Sequence, residues 1–135
     1  MVLADTSVWI DFARRGDGGQ ARDLRALLDG GEVSTCGPVA AELLAGAEGE
    51  VAERISSTLA SLPWAQLDPE VWREVGSVAR RLRRLGHTMP LTDLVIAVAA
   101  ARAEHVLWSF DADFERIREV VDDLSLYSPP TEGAK

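Results

Sequence analysis

The sequence predicts an α/β domain: a three-layer α/β/α sandwich around a short, mostly parallel sheet of four to five strands. Short apolar runs alternate with longer segments in which apolar residues recur every three or four positions. Glycine and proline separate these segments. The chain has 135 residues, 47% of them hydrophobic, which suits one packed core. We therefore expect one domain over residues 1–128 and a flexible tail over 129–135.

The first half of the chain contains six predicted elements, which are bounded by capping and breaking residues. In chain order they are a strand at 2–5, helices at 7–14 and 20–28, a strand at 32–35, and helices at 38–46 and 50–62. Ser7 can cap the first helix, and Gly30-Gly31 stops the second. Pro38 suits the first position of a helix, and Gly46 suits its end.

The second half alternates in the same way. In chain order its elements are a strand at 64–67, helices at 68–85 and 92–102, a strand at 105–109, a helix at 113–119 and a strand at 124–127. Asp68 opens the first of these helices and Gly86 closes it. Thr92 or Asp93 opens the next helix. Because residues 94–101 are all apolar, that helix is expected to be almost wholly buried.

Composition excludes several classes of protein. Cys36 is the only cysteine, so no intrachain disulfide can form, which fits a reducing cytosol. The N-terminus has no basic segment, and Asp5 interrupts its apolar stretch, which is unlike a signal peptide. The longest apolar run, residues 94–101, is too short to span a bilayer. We expect a soluble, cytoplasmic protein that does not enter a membrane.

Five acidic residues stand at strand ends and helix starts. Asp5 ends the first strand, Glu42 and Asp93 lie in first turns of helices, and Asp111 and Asp113 follow the strand at 105–109. Each acid alone has an ordinary explanation as a turn former, a helix cap, a solvated helix residue or a partner of the helix dipole. However, a parallel sheet would bring them to one edge.

Acidic side chains gathered at one edge would repel one another. Two carboxylates about 4 Å apart repel by about 4 kcal/mol at an effective dielectric constant near 20. Either protons are taken up or a divalent cation is bound. Carboxylate oxygens favour Mg²⁺ or Mn²⁺ over zinc, and two histidines and one cysteine are too few for a usual zinc site. Phosphodiester hydrolysis is the natural chemistry of such a centre.

Four motifs in this order resemble the PIN domain and, more narrowly, the VapC toxins of VapBC toxin–antitoxin pairs. The resemblance covers nearly the whole chain, from about residue 2 to residue 127. The motifs are Leu3-x-Asp5-Thr6-Ser7 with Trp9-Ile10-Asp11, then Ala41-Glu42-Leu43, then Leu91-x-Asp93-x-x-Ile96-Ala97, and finally Ser109-x-Asp111-x-Asp113-Phe114. Each motif is weak alone, but the set is specific.

The resemblance implies an endoribonuclease that depends on Mg²⁺ or Mn²⁺, with hydrolysis of the two-metal type. The catalytic acids it implies are Asp5, Glu42, Asp93 and Asp111, and the metal ligands among them are Asp5, Asp93 and Asp111. Asp113 is the neighbouring acid that assists, and Thr6 and Ser109 match hydroxyl positions that orient the carboxylates or a bound water. The chain departs from the family pattern at Ser109, often Thr in relatives, and at Phe110, often polar.

The resemblance also implies partners. They are a structured RNA substrate of the tRNA or rRNA class, a second copy of the chain in a homodimer, and a VapB-type antitoxin that covers the site with an arginine. The net charge of −8 argues against nucleic-acid binding, but 13 of the 14 basic residues are arginine. Possible RNA contacts are Arg80, Arg81, Arg83 and Arg84. The solvated face of an amphipathic helix is an equally simple explanation for these four.

Two other functions remain open. A phosphoacceptor signalling domain is also a small α/β sheet with acids at strand ends, but it needs a lysine after a late strand, and the only lysine is Lys135. A non-catalytic PIN-like binding module would not need the acidic set. A dinucleotide-binding domain is excluded because no Gly-x-Gly-x-x-Gly follows a strand.

Overall fold

Three parallel strands form the centre of the protein in the computed structural model, which describes residues 1–129. The strands are β1 (Val2–Ala4), β2 (Val33–Ser34) and β3 (Val106–Trp108). The helices are α1 (Thr6–Arg15), α2 (Asp23–Asp29), α3 (Gly37–Ala45), α4 (Gly49–Ala60), α5 (Pro69–Arg84), α6 (Leu91–Arg102) and α7 (Asp113–Arg118), with a 3₁₀ turn at Gly16–Gly18. The α/β class and the parallel sheet predicted from the sequence are thereby confirmed. Of the predicted tail, residues 130–135 lie outside the described residues.

The sheet has the strand order β2-β1-β3, and both pairings are parallel. The prediction of four to five strands was wrong: the part of the chain that the structure describes forms three. The predicted strands at 64–67 and 124–127 each make one parallel bridge, Trp64 to Thr35 and Leu126 to Leu107. Pro63 immediately before the first segment has no amide hydrogen, and Asp68 soon begins a helix, so pairing cannot extend.

Both faces of the sheet are covered, because side chains alternate along each strand. On one face, Leu3 and Leu107 join a core cluster contributed mainly by α3, α5, α6 and α7. On the other face, Val2, Ala4 and Trp108 pack with buried residues of α1 and α2. Residues 94–101 of α6 are all buried, as predicted from their apolar run.

Helix ends follow their capping residues, with one correction. Asp68 caps α5 by accepting from the Val71 amide, as predicted. The cap of α1 is Asp5, whose carboxylate accepts from the Ser7 amide, and not Ser7 itself. Asp5 takes this position because the helix begins one residue earlier than predicted, at Thr6. Within residues 1–129, no helix is both long and apolar enough to cross a bilayer.

Candidate active site

Asp5 lies where β1 ends and α1 begins, and it is 6% exposed. Its Oδ1 accepts from the Ser7 amide at 2.9 Å and from the Ser7 hydroxyl at 2.6 Å. Its Oδ2 accepts from the Ser109 hydroxyl at 2.7 Å. Burial raises the pKa of Asp5, and the hydrogen bonds from Ser7 and Ser109 oppose that rise. Asp5 is thus a buried carboxylate with a fixed orientation.

The two serines also position the loop that follows β3. Each serine hydroxyl has one hydrogen, which it donates to Asp5, and each oxygen then accepts a loop amide. The Ser7 oxygen accepts from the amide of Phe110 at 3.0 Å, and the Ser109 oxygen accepts from the amide of Asp111 at 2.9 Å. The start of α1 and the loop after β3 are thereby held together around one carboxylate.

Glu42 reaches the same edge from α3. Its side chain is exposed, and its Oε1 accepts from the Thr6 hydroxyl at 2.6 Å. This bond joins the second turn of α3 to the first residue of α1, next to Asp5. Burial raises the pKa of the Cys36 thiol to about 11, and the negative charges of Glu42 and Asp5 add to that rise. The cysteine therefore stays protonated and is a poor metal ligand.

Three carboxylates stand close together beside Asp5. An oxygen of Asp93, one of Asp111 and one of Asp113 all lie within 4.8 Å of one another, and we call these residues the acidic trio. Asp93 comes from the first turn of α6, and the other two come from the start of α7 and the loop before it. The Asp113 amide donates to Asp111 Oδ1 at 2.9 Å, which fixes the tight turn between them.

The acids act on one another electrostatically. The pKa of Asp93 rises to about 6, first because of burial and then because of the charges of the other four acids: Asp111, Asp5, Asp113 and Glu42. The structure therefore brings together all five acids singled out in the sequence. It places Asp113 in the closest group, whereas Asp5 lies beside that group and is held by the serines.

The donor set suits a hard divalent cation. Among residues 1–129, the carboxylate oxygens of the acidic trio converge here with the hydroxyls of Thr6, Ser7 and Ser109 nearby, and the neighbouring Cys36 thiol is protonated. Negative charges that raise the pKa of Asp93 in the free protein would be offset by an ion among them. Asp93, Asp111 and Asp113 could hold such an ion directly, and Asp5 lies near enough for its charge to raise the pKa of Asp93.

The predicted RNA-contacting arginines lie elsewhere, on the exposed face of the last turns of α5. Arg81 donates to the Val120 carbonyl, and Arg84 lines a cavity of about 310 Å³ together with Glu119 and Asp122. Within residues 1–129, no hydrogen bond or ion pair joins any of the four arginines to the acids of the site. The residues concerned are Arg80, Arg81, Arg83 and Arg84.

Ser7 is the site residue whose role the sequence did not reveal. It was expected to cap α1, but its hydroxyl instead connects Asp5 to the amide of Phe110. A signal for this role was present, because a serine two residues after a strand-ending aspartate can share an Asx-type turn with it. Its contact with the distant loop depends on tertiary structure.

Taken with the sheet, these side chains define a class of protein: an α/β domain with a cluster of carboxylates that could hold a divalent cation, at the carboxyl edge of a parallel sheet. Comparison with known proteins makes the class specific. The sequence profile of the PIN domain matches residues 2–120, which is most of the chain. The chain belongs to the PIN-domain family.

The relatives found are bacterial. VapC ribonuclease Mb1587 of Mycobacterium bovis and ribonuclease VapC11 of Mycobacterium tuberculosis are each 29% identical over 127 residues, which cover 90% of this chain and 95% of theirs. Among solved structures, VapBC2 from Rickettsia felis bound to a promoter DNA fragment gives a TM-score of 0.72 at 20% identity, covering 94% of this chain and 98% of that one. VapBC-1 from nontypeable Haemophilus influenzae gives 0.70 at 15% identity, covering 95% and 98%. At such identities, the structures show a common fold.

Proposed function

We propose that the protein is a metal-dependent endoribonuclease that acts as the toxin of a VapBC-type toxin–antitoxin pair. The observation that carries this proposal is the convergence of the acidic trio at the carboxyl edge of the sheet, within the electrostatic reach of Asp5 and Glu42. The names of the curated relatives, VapC ribonucleases, support RNA as the substrate. We also propose that residues 1–128 act as a single domain and that 129–135 form a tail outside it.

The residues divide the work. We propose Asp5, Glu42, Asp93 and Asp111 as the catalytic acids, and Asp5, Asp93 and Asp111 as ligands of Mg²⁺ or Mn²⁺. The 4.8 Å spacing adds Asp113 to the candidate ligands. When bound, the ion polarises the scissile phosphate and lowers the pKa of the attacking water.

The hydroxyl groups near the acids keep the ligands in place. Thr6 fixes the orientation of Glu42, while Ser7 and Ser109 fix that of Asp5 through short hydrogen bonds. Ordered carboxylates bind an ion more tightly than mobile ones, because less side-chain entropy is lost on binding. The Ser7 bond to the amide of Phe110 also holds the loop that carries Asp111.

The test is RNA cleavage with matched aspartate variants. Purified protein with Mg²⁺ or Mn²⁺ should cut bacterial transfer RNA or ribosomal RNA, and EDTA should stop it. Asp5→Asn and Asp93→Asn should each lower the rate by roughly 100-fold while the circular dichroism spectrum stays native. Asp123→Asn is the control, since Asp123 lies beside Glu104 and His105 at the opposite end of β3.

The same experiment can overturn the proposal. Cleavage by Asp5→Asn and Asp93→Asn at the rate of the parent protein would contradict the assignment of the site. Calorimetry that detects no Mn²⁺ binding to the parent, together with no cleavage, would instead favour a non-catalytic PIN-like binding module. If the Asp123→Asn control also loses cleavage activity, the substitution has damaged the fold, and the circular dichroism spectrum of that variant would reveal this.

A VapB-type antitoxin and a second copy of this chain are the proposed protein partners. The solved structures with this fold include VapBC assemblies from Rickettsia felis and Haemophilus influenzae. An antitoxin arginine inserted among the acids would offset the charges that raise the pKa of Asp93. Addition of a VapB-type antitoxin that binds this toxin should therefore abolish cleavage, and light scattering of the toxin alone should give the mass of a dimer.

A further inference from the structure

Arg116 lies one helical turn beyond Asp113 on α7. Residues three positions apart share a helix face, with Cβ atoms about 5–6 Å apart. The guanidinium of Arg116 is thus attached to the same side of α7 as a carboxylate of the acidic trio. Its side chain is exposed. A positive charge therefore stands next to the proposed metal ligands in a protein with net charge −8.

Arg116 differs from its neighbour Arg118 in having no acidic partner. Arg118 forms an ion pair with Glu115 at 2.7 Å. Within residues 1–129, no carboxylate lies at ion-pair distance from Arg116, and its one polar contact is from Nη1 to Nδ1 of His87 at 3.5 Å. Because no carboxylate of the described residues pairs with Arg116, its N–H groups stay available for an external anion.

His87 connects Arg116 to the segment that precedes α6. Its backbone amide donates to the Leu82 carbonyl at 2.9 Å, which fixes the residue at the end of α5. The segment that follows His87 leads directly into α6 and Asp93. The contact of Arg116 with His87 therefore joins the two segments that carry the acidic trio.

We propose that Arg116 and His87 form a phosphate-binding site that holds the RNA backbone beside the cleaved bond. The ligand is a phosphodiester, because a planar guanidinium with free N–H groups binds two phosphate oxygens at once. Its identity as RNA rests on the ribonuclease function proposed above. Arg116 binds a phosphate next to the scissile one, and the imidazole of His87 contacts the same group or its ribose.

Arg116→Ala and Arg73→Ala make a matched pair for the test. Both remove one exposed arginine, and Arg73 is paired with Glu70 on α5, where the adjacent Glu74 contacts Arg102 at the end of α6 opposite Asp93. Affinity is measured by fluorescence anisotropy of a short fluorescein-labelled single-stranded RNA of mixed sequence. These measurements use the Asp93→Asn background with EDTA, so that cleavage during the measurement is minimal.

The expected loss is specific to Arg116. Arg116→Ala should weaken binding about tenfold, the value of one charge-assisted hydrogen bond. It should also reduce the slope of log affinity against log salt by about 0.7, one phosphate contact on a single strand. Arg73→Ala should change affinity less than about twofold. Arg116→Lys should restore the slope but not the full affinity, since an ammonium cannot bind two oxygens in a plane.

Kinetics in the otherwise parental protein give the second readout. When a residue binds the substrate and the transition state equally tightly, its removal raises KM and leaves kcat unchanged. We therefore expect Arg116→Ala to raise KM about tenfold at constant kcat. Equal effects of Arg116→Ala and Arg73→Ala on KM and on the salt slope would overturn the phosphate site while leaving the ribonuclease intact. A parent that binds RNA through Arg116 but never cuts it would overturn only the ribonuclease.

Discussion

Asp5 and the acidic trio share one edge of the sheet, but the protein holds them in opposite ways. Asp5 is 6% exposed, and its carboxylate accepts three hydrogen bonds from Ser7 and Ser109. The members of the trio are intermediate or exposed, and their oxygens lie within 4.8 Å of one another. The pKa values of Asp5 and Asp93 are both raised by burial, but hydrogen bonds oppose the rise at Asp5, whereas neighbouring charges add to it at Asp93.

The site therefore has two parts, which differ in how their negative charges are balanced. Asp5 has its partners within the chain, so it can support α1 and the loop after β3 without any ligand. Within residues 1–129, the Asp93 carboxylate accepts no such hydrogen bond, and neighbouring charges destabilise it until a proton or a cation arrives. Removing Asp5 should therefore damage the fold, whereas neutralising Asp93 should stabilise it.

Replacement of Asp5 should have the largest effect on stability. Asp5→Ala removes the cap of α1 and the acceptor of two serine hydroxyls, which should lower the free energy of unfolding by about 2 kcal/mol. Asp5→Asn keeps an oxygen for the Ser7 amide and should cost less. Urea unfolding measures both. A stability for Asp5→Ala equal to that of the parent would show that the carboxylate is not the anchor described above.

Addition of a divalent cation should stabilise only the protein with an intact trio. An ion at ten times its dissociation constant raises the free energy of unfolding by about 1.4 kcal/mol. Mn²⁺ or Mg²⁺ should therefore raise the thermal midpoint of the parent and of Asp123→Asn, because neither lacks a ligand. Asp93→Asn should show little or no rise. Equal shifts in all three proteins would place the bound ion somewhere other than among these acids.

The sequence predicted the parts of the fold that depend on neighbouring residues. Eight consecutive apolar residues predicted the burial of α6, and Asp68-Pro69 predicted the start of α5. The number of strands was wrong because the segment after Pro63 satisfies the criteria for a strand locally, yet it has room for one bridge before α5 begins. Whether such a segment pairs further depends on its tertiary neighbours.

The candidate site was predictable to the same extent. Strand ends and helix starts identified the five acids, because a parallel sheet gathers such positions at one edge. Their grouping could not be predicted. The tight turn after Ser109 places a carboxylate oxygen of Asp113 close to one of Asp93, whereas the Asp5 carboxylate is bound by the hydroxyls of Ser7 and Ser109. These are distances of a few ångströms between side chains that sequence spacing does not encode.

The smallest effect should be a dependence of stability on pH at Asp93. Burial raises the pKa of Asp93 from its ordinary value of 3.8 to about 6 in the folded protein, so the folded state binds the proton more tightly than the unfolded state. Stability from this residue is therefore greatest below about pH 4 and is lost as the pH rises through 6. Asp93→Asn stays neutral and avoids that loss. Without metal and above pH 6, the free energy of unfolding of this variant should therefore exceed that of the parent by about 1 kcal/mol, a value reduced for solvent screening. Urea unfolding of both proteins with EDTA at pH 4 and pH 7.5 measures this difference, which should vanish at the lower pH. A variant that is less stable than the parent at both pH values would mean that Asp93, like Asp5, is held by favourable contacts, and the contrast between the two parts of the site would fail.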